Sequence, residues 1–370
     1  MLDNENTVYS KKAVSDYVLS VSNPSLKYFK NVLTDIDELC LSNKMTLPIT
    51  INNTEYENSY VCSPYTALVP YCKEELSKVD SLLIQRLVSS LLSIFDLIFK
   101  KLKINKVFQM NNWMLSTNLY PISLNESEIN QSKINVTKKY SKHLLMYRSL
   151  NYHTNEKLID DFLKSGFSLI PSRQVYIFDK KIKDYSKTHN YQIDKKLLSK
   201  TNYTYAPQNE ILISDIPRIV ELYNLLYIDK YSEHNPKFTE SFITSIINHP
   251  YFYLEGFRGS DGVLDAIGGR FEMDGIVTLP IVGYDTSKPQ KIGLYRLVMI
   301  SSLLYAEDNN LVFNASSGAP SFKSLRGATP HIEYSAIYFD HLTVFRKGIW
   351  ITLKFLLQYT FIPIMKRYKL

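Results

Sequence analysis

The chain has 370 residues, room for about two domains. With 45% hydrophobic and 21% charged residues and only 12 Gly and 15 Pro, the composition excludes disordered, collagen-like and low-complexity classes. A net charge of +7 is mild for this size; it fits an anionic ligand such as a nucleotide cofactor and, without a local basic patch, does not point to nucleic acid.

The opening MLDNENTVYSKK lacks the apolar run of a secretion signal, so a cytoplasmic protein is expected. Leu47 to Cys62 reads as two strands around Asn52–Asn53, Glu74 to Lys103 as one long amphipathic helix, and Lys106 to Asn111 as a strand. Asn125 to Lys139 is polar and reads as a loop with a short helix. A strand from Met146 to Asn151, a helix from Asn155, Gly166 and a strand from Ser168 to Asp179 follow. Asp179 to Gln208 is charged and poor in apolar periodicity, and reads as the connection between two halves.

The second half is clearer. Glu210 to Ser214 reads as a short strand, and a helix starts at Asp215-Ile-Pro217, with Asp as N-cap and Pro in the first turn. A second helix covers Phe238 to Asn248. Three strands, Tyr251–Phe257, Val263–Glu272 and Ile276–Tyr284, are separated by turns at Gly259–Gly262 and Met273–Gly275. The loop DTSKPQKIG leads into a helix from Leu294 to about Glu307. A strand Leu311–Asn314, a short helix Ser321–Arg326 and a strand Ile332–Phe339 complete the order β-α-α-β-β-β-loop-α-β-α-β. The last hydrophobic run, Gly348 to Met365, lies between Arg346, Lys347 and Lys366, Arg367, Lys369. Lys354 and Gln358 interrupt it, so a packed terminal helix is expected, with an interfacial membrane anchor as the sharper alternative.

Several chemistries lack their signatures. Cys40, Cys62 and Cys72 form no CxxC spacing, and the seven histidines are scattered without HExxH, so neither a disulfide framework nor a metal site is expected. GxSxG is absent, and no glycine cluster opens a helix as a Rossmann or P-loop fingerprint would.

The element order over about residues 208–340 resembles the GCN5-related N-acetyltransferase (GNAT) superfamily. The resemblance implies a gap between the fourth and fifth strands that takes the pantetheine arm of an acyl donor. It also implies a loop wrapping the donor pyrophosphate at a helix N-terminus. Against the family pattern [Q/R]-x-x-G-x-[G/A], this chain has Gln290-Lys291-Ile-Gly293-Leu294-Tyr295, followed by Arg296. Gln290 and Gly293 match. Tyr295 replaces the small residue, which brings an acyl carrier protein or an aminoacyl-tRNA into view as donor. Asn314 matches the family Asn at a strand end and Gly327 the Gly after the short helix. The family's Tyr, a general acid, is Lys323 here, with Phe322 beside it.

The resemblance implies an acidic base on or beside the central strands. Asp285 ranks above Glu272, Glu333 is a further candidate, and Tyr284, Tyr334 and Tyr338 are hydroxyl candidates. Asn314, Ser316, Ser317 and Lys323 are candidates for contacting substrate. The first half repeats a strand, helix, Gly, strand order, with Tyr176-Ile-Phe-Asp179 matching Tyr338-Phe-Asp340 in kind. This resembles the tandem arrangement of Fem-type aminoacyltransferases and N-myristoyltransferases. Arg148 and Arg173 on its strands are candidates for a carboxylate or phosphate.

The expected fold is therefore α/β (α+β), with two GNAT-like halves, mixed central sheets flanked by helices and a C-terminal helix. The expected boundaries are 1–195, 196–340 and 341–370. The expected activity is N-acyl transfer from a thioester, acyl-CoA or acyl carrier protein, to an amine on a small molecule or peptide, without a metal. The alternatives are a Fem-like transferase using aminoacyl-tRNA, the one case in which a nucleic acid is expected, and a non-catalytic binding protein. Peripheral membrane contact through the C-terminal tail is a further expectation.

Overall fold

The computed structural model describes residues 9–23, 27–42, 44–79 and 81–368; Lys369 lies outside them. Contacts group the chain into two compact units. One, here the 175–330 unit, holds the N-terminal segment through Lys30, Val175–Glu233 and Lys237–Pro330; the other, the 31–174 unit, holds Asn31–Gln174, His234–Pro236 and His331 onward. The boundaries read from the sequence at 195/196 and 340/341 differ from this division, which falls at 174/175 and 330/331, each inside a strand. Helix α1 (Lys11–Val21) is capped by Ser10, whose side chain accepts the Ala13 N–H, and buries Ala13, Val14, Tyr17, Val18 and Val21.

In the 31–174 unit, β1 (Asp35–Cys40) pairs antiparallel with β2 (Thr46–Asn52). No second strand follows Asn53, contrary to the sequence reading. Two short helices, α2 (Pro64–Leu68) and α3 (Pro70–Glu75), follow, and the long helix expected from Glu74 to Lys103 is broken. The chain leaves helical geometry at Val79 (φ −88°, ψ 120°), and Ser81 caps a fresh helix, α4 (Leu82–Lys101), by accepting the Ile84 N–H. Strand β3 (Val107–Met110) pairs antiparallel with β2 and parallel with β4 (Leu144–Leu150). Between them α5 (Glu126–Lys139) is a full helix rather than a loop. Asn125 accepts two N–H groups at its start, with Glu126 and Glu128 in the first turn and Lys138 and Lys139 in the last. Each charge sits at the end of the dipole that favours it. Helix α6 (Tyr152–Lys164) and β5 (Ser168–Phe178) follow.

The 175–330 unit takes over within β5. Its supposed linker contains α7 (His189–Lys200), which buries Tyr191 and Asp194 and packs Leu197 and Leu198 on the core. The expected strand at 210–214 is instead two 3₁₀ turns, because the Asp215 carboxylate accepts the Leu212 N–H at 2.7 Å and pairs with Arg258 at 2.6 Å. The short strand that pairs here is β6 (Thr204–Ala206). Helix α8 (Ile216–Tyr223) runs on into a π-helical stretch, Asn224–Tyr231, and α9 (Glu240–Ile246) follows. Then β7 (Phe252–Arg258), β8 (Leu264–Met273) and β9 (Ile276–Tyr284) form an antiparallel meander. Helix α10 (Leu294–Asp308) leads to β10 (Val312–Asn314), which lies parallel to β9 and antiparallel to β5. A short α11 (Pro320–Leu325) leads to β11 (Thr329–Tyr338).

The element order is that implied by the GNAT resemblance, and the class is mixed α/β with helices on the sheets. From Tyr334 to Tyr338, within the 31–174 unit, β11 pairs antiparallel with β4. The chain then forms α12 (Val344–Leu356), a π-helical turn and α13 (Ile362–Tyr368). Ile349, Trp350, Leu353 and Leu357 of this tail join Phe95, Phe99, Val107 and Leu144 in one core. The expected packing of the terminal helix is thus seen for one face.

Candidate active site

The site follows from how β9 ends. The hairpin from β8 turns through Asp274 (φ +47°) and Gly275 (φ +82°), a left-handed pair that suits a tight two-residue turn. Pairing starts in register, Met273 with Ile276 and Phe271 with Thr278, then jumps to Gly269 with Ile281. Two β9 residues, Leu279 and Pro280, therefore stand against one on β8, Arg270. This is a β-bulge, and Pro280, which has no N–H to give a ladder, is at home in it. On its other side β9 pairs with β10 only at Ile276, Val277 and Thr278. Beyond Asn314 the chain turns to β5, with Ala315 N–H donating to Tyr176 and Tyr176 N–H to Ser316. Among the described residues no strand pairs with Leu279–Tyr284 on that side. The two parallel strands splay, and a free backbone edge is left.

Aromatic side chains gather where the strands part. Tyr295, in the first turn of α10, lies with its ring centre 6.2 Å from Tyr284 and 4.9 Å from Phe322. The π-helical stretch adds Tyr227 and Tyr231, whose rings meet at 6.0 Å. Burial, and then the neighbouring Tyr231 and Tyr227, push the Tyr295 hydroxyl well above its ordinary pKa, so it stays protonated. Lys230 donates to the Tyr284 hydroxyl at 3.0 Å, and that bond holds its ammonium in the charged form. Gly293 caps α10 in the left-handed region (φ +79°), where a side chain would be strained. The N–H groups of Leu294, Tyr295 and Arg296 have no intrahelical acceptor, so the helix start presents donors.

The structure changes the reading of the cationic loop. Arg296 is drawn to the buried Asp194 carboxylate at 2.6 Å, and Arg326 binds its other oxygen at 2.5 Å. Lys288 reaches Asp265 at 3.2 Å. Leu197 lies where a Cβ on Gly293 would come within 2.8 Å of it. Gln290 and Lys291 form a 3₁₀ turn, with Lys291 exposed. The loop cations are thus largely neutralised by carboxylates of the same unit.

The proposed bases do not converge. Asp285 accepts from Arg218 at 2.8 Å and from the Ser287 hydroxyl at 2.5 Å and N–H at 2.9 Å, so it fixes the turn after β9 instead of standing free as a base. Glu272 is opposite Val277, whereas Tyr284 is opposite Ala266. Six residues of strand separate them, roughly 20 Å. Glu272 accepts from Tyr305 at 2.7 Å. Glu333 lies in the 31–174 unit and is held by Arg173 through two bonds, at 2.8 and 3.2 Å. Burial works against the Arg173 charge, but the Glu333 carboxylate outweighs it and keeps the guanidinium pKa raised. Arg173 is therefore an ion-pair partner. Arg148 donates to the Val61 carbonyl at 2.5 Å. Tyr334 and Tyr338 are also in the 31–174 unit, against Tyr152 and His341.

Lys323 is buried, and its ammonium donates to the Ala315, Ser317 and Ser316 carbonyls at 2.6, 2.7 and 3.3 Å. It clamps the loop after β10, which corrects the expectation of a substrate contact. Asn314 is also turned inward, its Oδ1 taking the Ser316 N–H at 2.9 Å. Lys230, Tyr227 and Tyr231 were not singled out in the sequence, although Tyr223, Tyr227 and Tyr231 repeat every fourth residue there.

A pH test checks the Asp285 assignment. Burial raises its pKa, but the bonds from Ser287 and Arg218 outweigh that and hold it below the usual aspartate value. A lowered folded-state pKa stabilises the fold above the unfolded value of about 3.9 and is lost as the pH falls through the lower, folded value. Asp285→Asn is expected to be less stable than the parent at neutral pH, with a smaller difference at an acidic pH below about 3.9. Urea melts at the two pH values measure this, and an equal difference at both overturns it.

No protein-family model matches the chain, and no curated protein does. Solved structures similar to it include FemX, at 8% identity over 62% of this chain and 80% of that one, with a TM-score of 0.45. L-PGS from Bacillus licheniformis is 11% identical over 62% and 77%, with a TM-score of 0.44. A tandem GNAT protein from the clavulanic acid biosynthesis pathway is 9% identical over 62% and 75%, with a TM-score of 0.36.

Proposed function

We propose that the chain is an N-acyltransferase whose donor lies along the free edge of β9, with its acyl carbonyl near Tyr284. The observation that supports this is the register: β10 leaves β9 after Thr278, the bulge at Leu279–Pro280 follows, and no described strand pairs with the remaining edge on that side. Free N–H and C=O groups on such an edge suit the amide-rich arm of a thioester donor, which adds as a strand does. Acyl transfer to an amine also needs a proton for the leaving group. The Tyr284 hydroxyl, held by the Lys230 ammonium, has the chemistry to supply it, and its position at the open end of the strand suits a reacting carbonyl.

The choice of donor turns on the loop before α10. Tyr295 stands where the family pattern has a small residue, and Asp194 neutralises Arg296 and Arg326. Both features weigh against a tightly wrapped CoA pyrophosphate. They favour a donor that keeps the arm but presents its phosphate differently, an acyl carrier protein, over free acyl-CoA; an aminoacyl-tRNA, which has no such arm, is the alternative. Thermal-shift binding of acetyl-CoA, a long-chain acyl-CoA, an acyl-loaded carrier protein and a charged tRNA separates these, and no shift with any of the four supports a non-catalytic binding protein. With the active donor, Tyr284→Phe is expected to lower turnover about 10²-fold or more with donor affinity kept. Full turnover in that variant rejects the assignment of Tyr284.

A further inference from the structure

The 31–174 unit exposes more apolar helix than its own core uses. Helix α4 buries Leu92, Phe95 and Phe99. Its other faces leave Leu83, Leu87 and Leu97 69%, 63% and 73% exposed. The α12–α13 tail repeats this: Trp350, Leu353 and Leu357 join the same core as Phe95 and Phe99, while Phe345, Phe355 and Tyr359 stay 80%, 56% and 72% exposed. By length and composition both helices pass the test for a membrane span. With one face committed to the protein core, they are placed to lie on a bilayer and not to cross it.

A second, independent feature lies at one end of the pair. Arg346, at the start of α12, donates to the carbonyls of Lys103 and Lys106, each at 3.2 Å, and to that of Lys142. This clips the tail onto the end of α4 and gathers Lys103, Lys106, Lys142 and Arg346 into one basic cluster. The cluster is strained by its own charge. Burial, then Lys103, Lys142 and Arg346, lower the Lys106 pKa, with Glu55 opposing them. On α4, Asp96 is already engaged by Lys100 and Tyr65. Residues 341–370 carry six lysines and arginines and no Asp or Glu. Like charges held together repel one another, and an anionic surface relieves that repulsion.

We infer that this face is a peripheral docking surface for an anionic lipid bilayer: the exposed sides of α4 and α12–α13 enter the interface, and the basic cluster meets lipid headgroups. A second copy of the chain fits less well, because it would bring a like cationic cluster to the same seam. The inference is independent of the acyl-transfer reading, since every residue in it lies in the 31–174 unit.

The test is co-sedimentation of the full chain with vesicles of phosphatidylcholine, alone or with about one-third phosphatidylglycerol. At least about tenfold tighter binding to the anionic vesicles is expected, weakening steeply as salt is raised. Lys103→Ala/Lys106→Ala/Lys142→Ala is expected to lose about tenfold or more of that binding without a lower melting temperature. Leu87→Ser/Phe355→Ser is expected to bind neither vesicle. Equal binding to neutral and anionic vesicles, no binding by the parent, or full binding by the lysine variant overturns the inference. A concentration-dependent dimer without vesicle binding overturns it too and assigns the face to a second copy.

Discussion

Glu255→Ala is expected to lower the unfolding free energy by about 3–5 kcal/mol, because it strands a buried positive charge. Glu255 and Arg270 side chains are 0% and 3% exposed and meet at 2.7 Å. The guanidinium carbon sits 3.8 Å from the centre of the Tyr305 ring and 4.4 Å from that of Tyr253, so two aromatic rings lie close to it. Tyr205 donates to the same Glu255 oxygen at 2.8 Å. The pair therefore sits almost without water. Removing both charges with packed apolar residues, as in Glu255→Leu/Arg270→Met, is expected to recover most of the loss. Urea titration of the single and double variants measures this; a single-variant loss under about 1 kcal/mol rejects the account.

Gly283→Ala is expected to cost about 3 kcal/mol, at the upper end for overpacking, and to abolish donor binding with it. A Cβ at this position falls 2.4 Å from the Leu222 carbonyl carbon and 2.5 Å from its oxygen and from the Tyr223 nitrogen. These are backbone atoms, which cannot rotate aside, so α8 must move off β9. The stretch that carries Tyr227 and Lys230 continues directly from α8 and must move with it. A melting curve and donor binding, measured together, check both halves of the expectation. A variant that melts like the parent shows that α8 does not need this glycine.

The parts of the fold legible in the sequence are those whose signals are local. Ile276–Tyr284 and the helix from Leu294 were placed to within a residue, because an apolar strand between turn residues and a glycine-started helix are short-range patterns. The linker reading of 179–208 failed because the inward position of α7 is a carboxylate. Asp194 breaks the apolar period, and its arginines lie 102 and 132 residues away. The same distance effect hid the fate of the candidate site residues. Arg296 reads as a phosphate ligand and Glu333 as a base until their partners, Asp194 and Arg173, are seen. The bulge left one local clue, Pro280 inside an otherwise regular strand, but the register that opens β9 is set by strand pairing that no window of sequence contains.

The division at 174/175 and 330/331 bears on the order in which the chain is assembled during synthesis. The 31–174 unit takes its β11 residues and its α12–α13 tail from His331 onward, whereas every segment of the 175–330 unit lies before His331. A chain growing from its N-terminus therefore makes most of the 31–174 unit first but can close it only last. Until then β4 lacks its β11 partner, and Phe95 and Phe99 lack Trp350 and Leu353. An unpaired strand and an uncovered apolar face, waiting together, are what chaperones bind. A nascent chain stalled before His331 should hold a protease-resistant 175–330 unit and a protease-sensitive 31–174 segment, and release of the final residues should protect both.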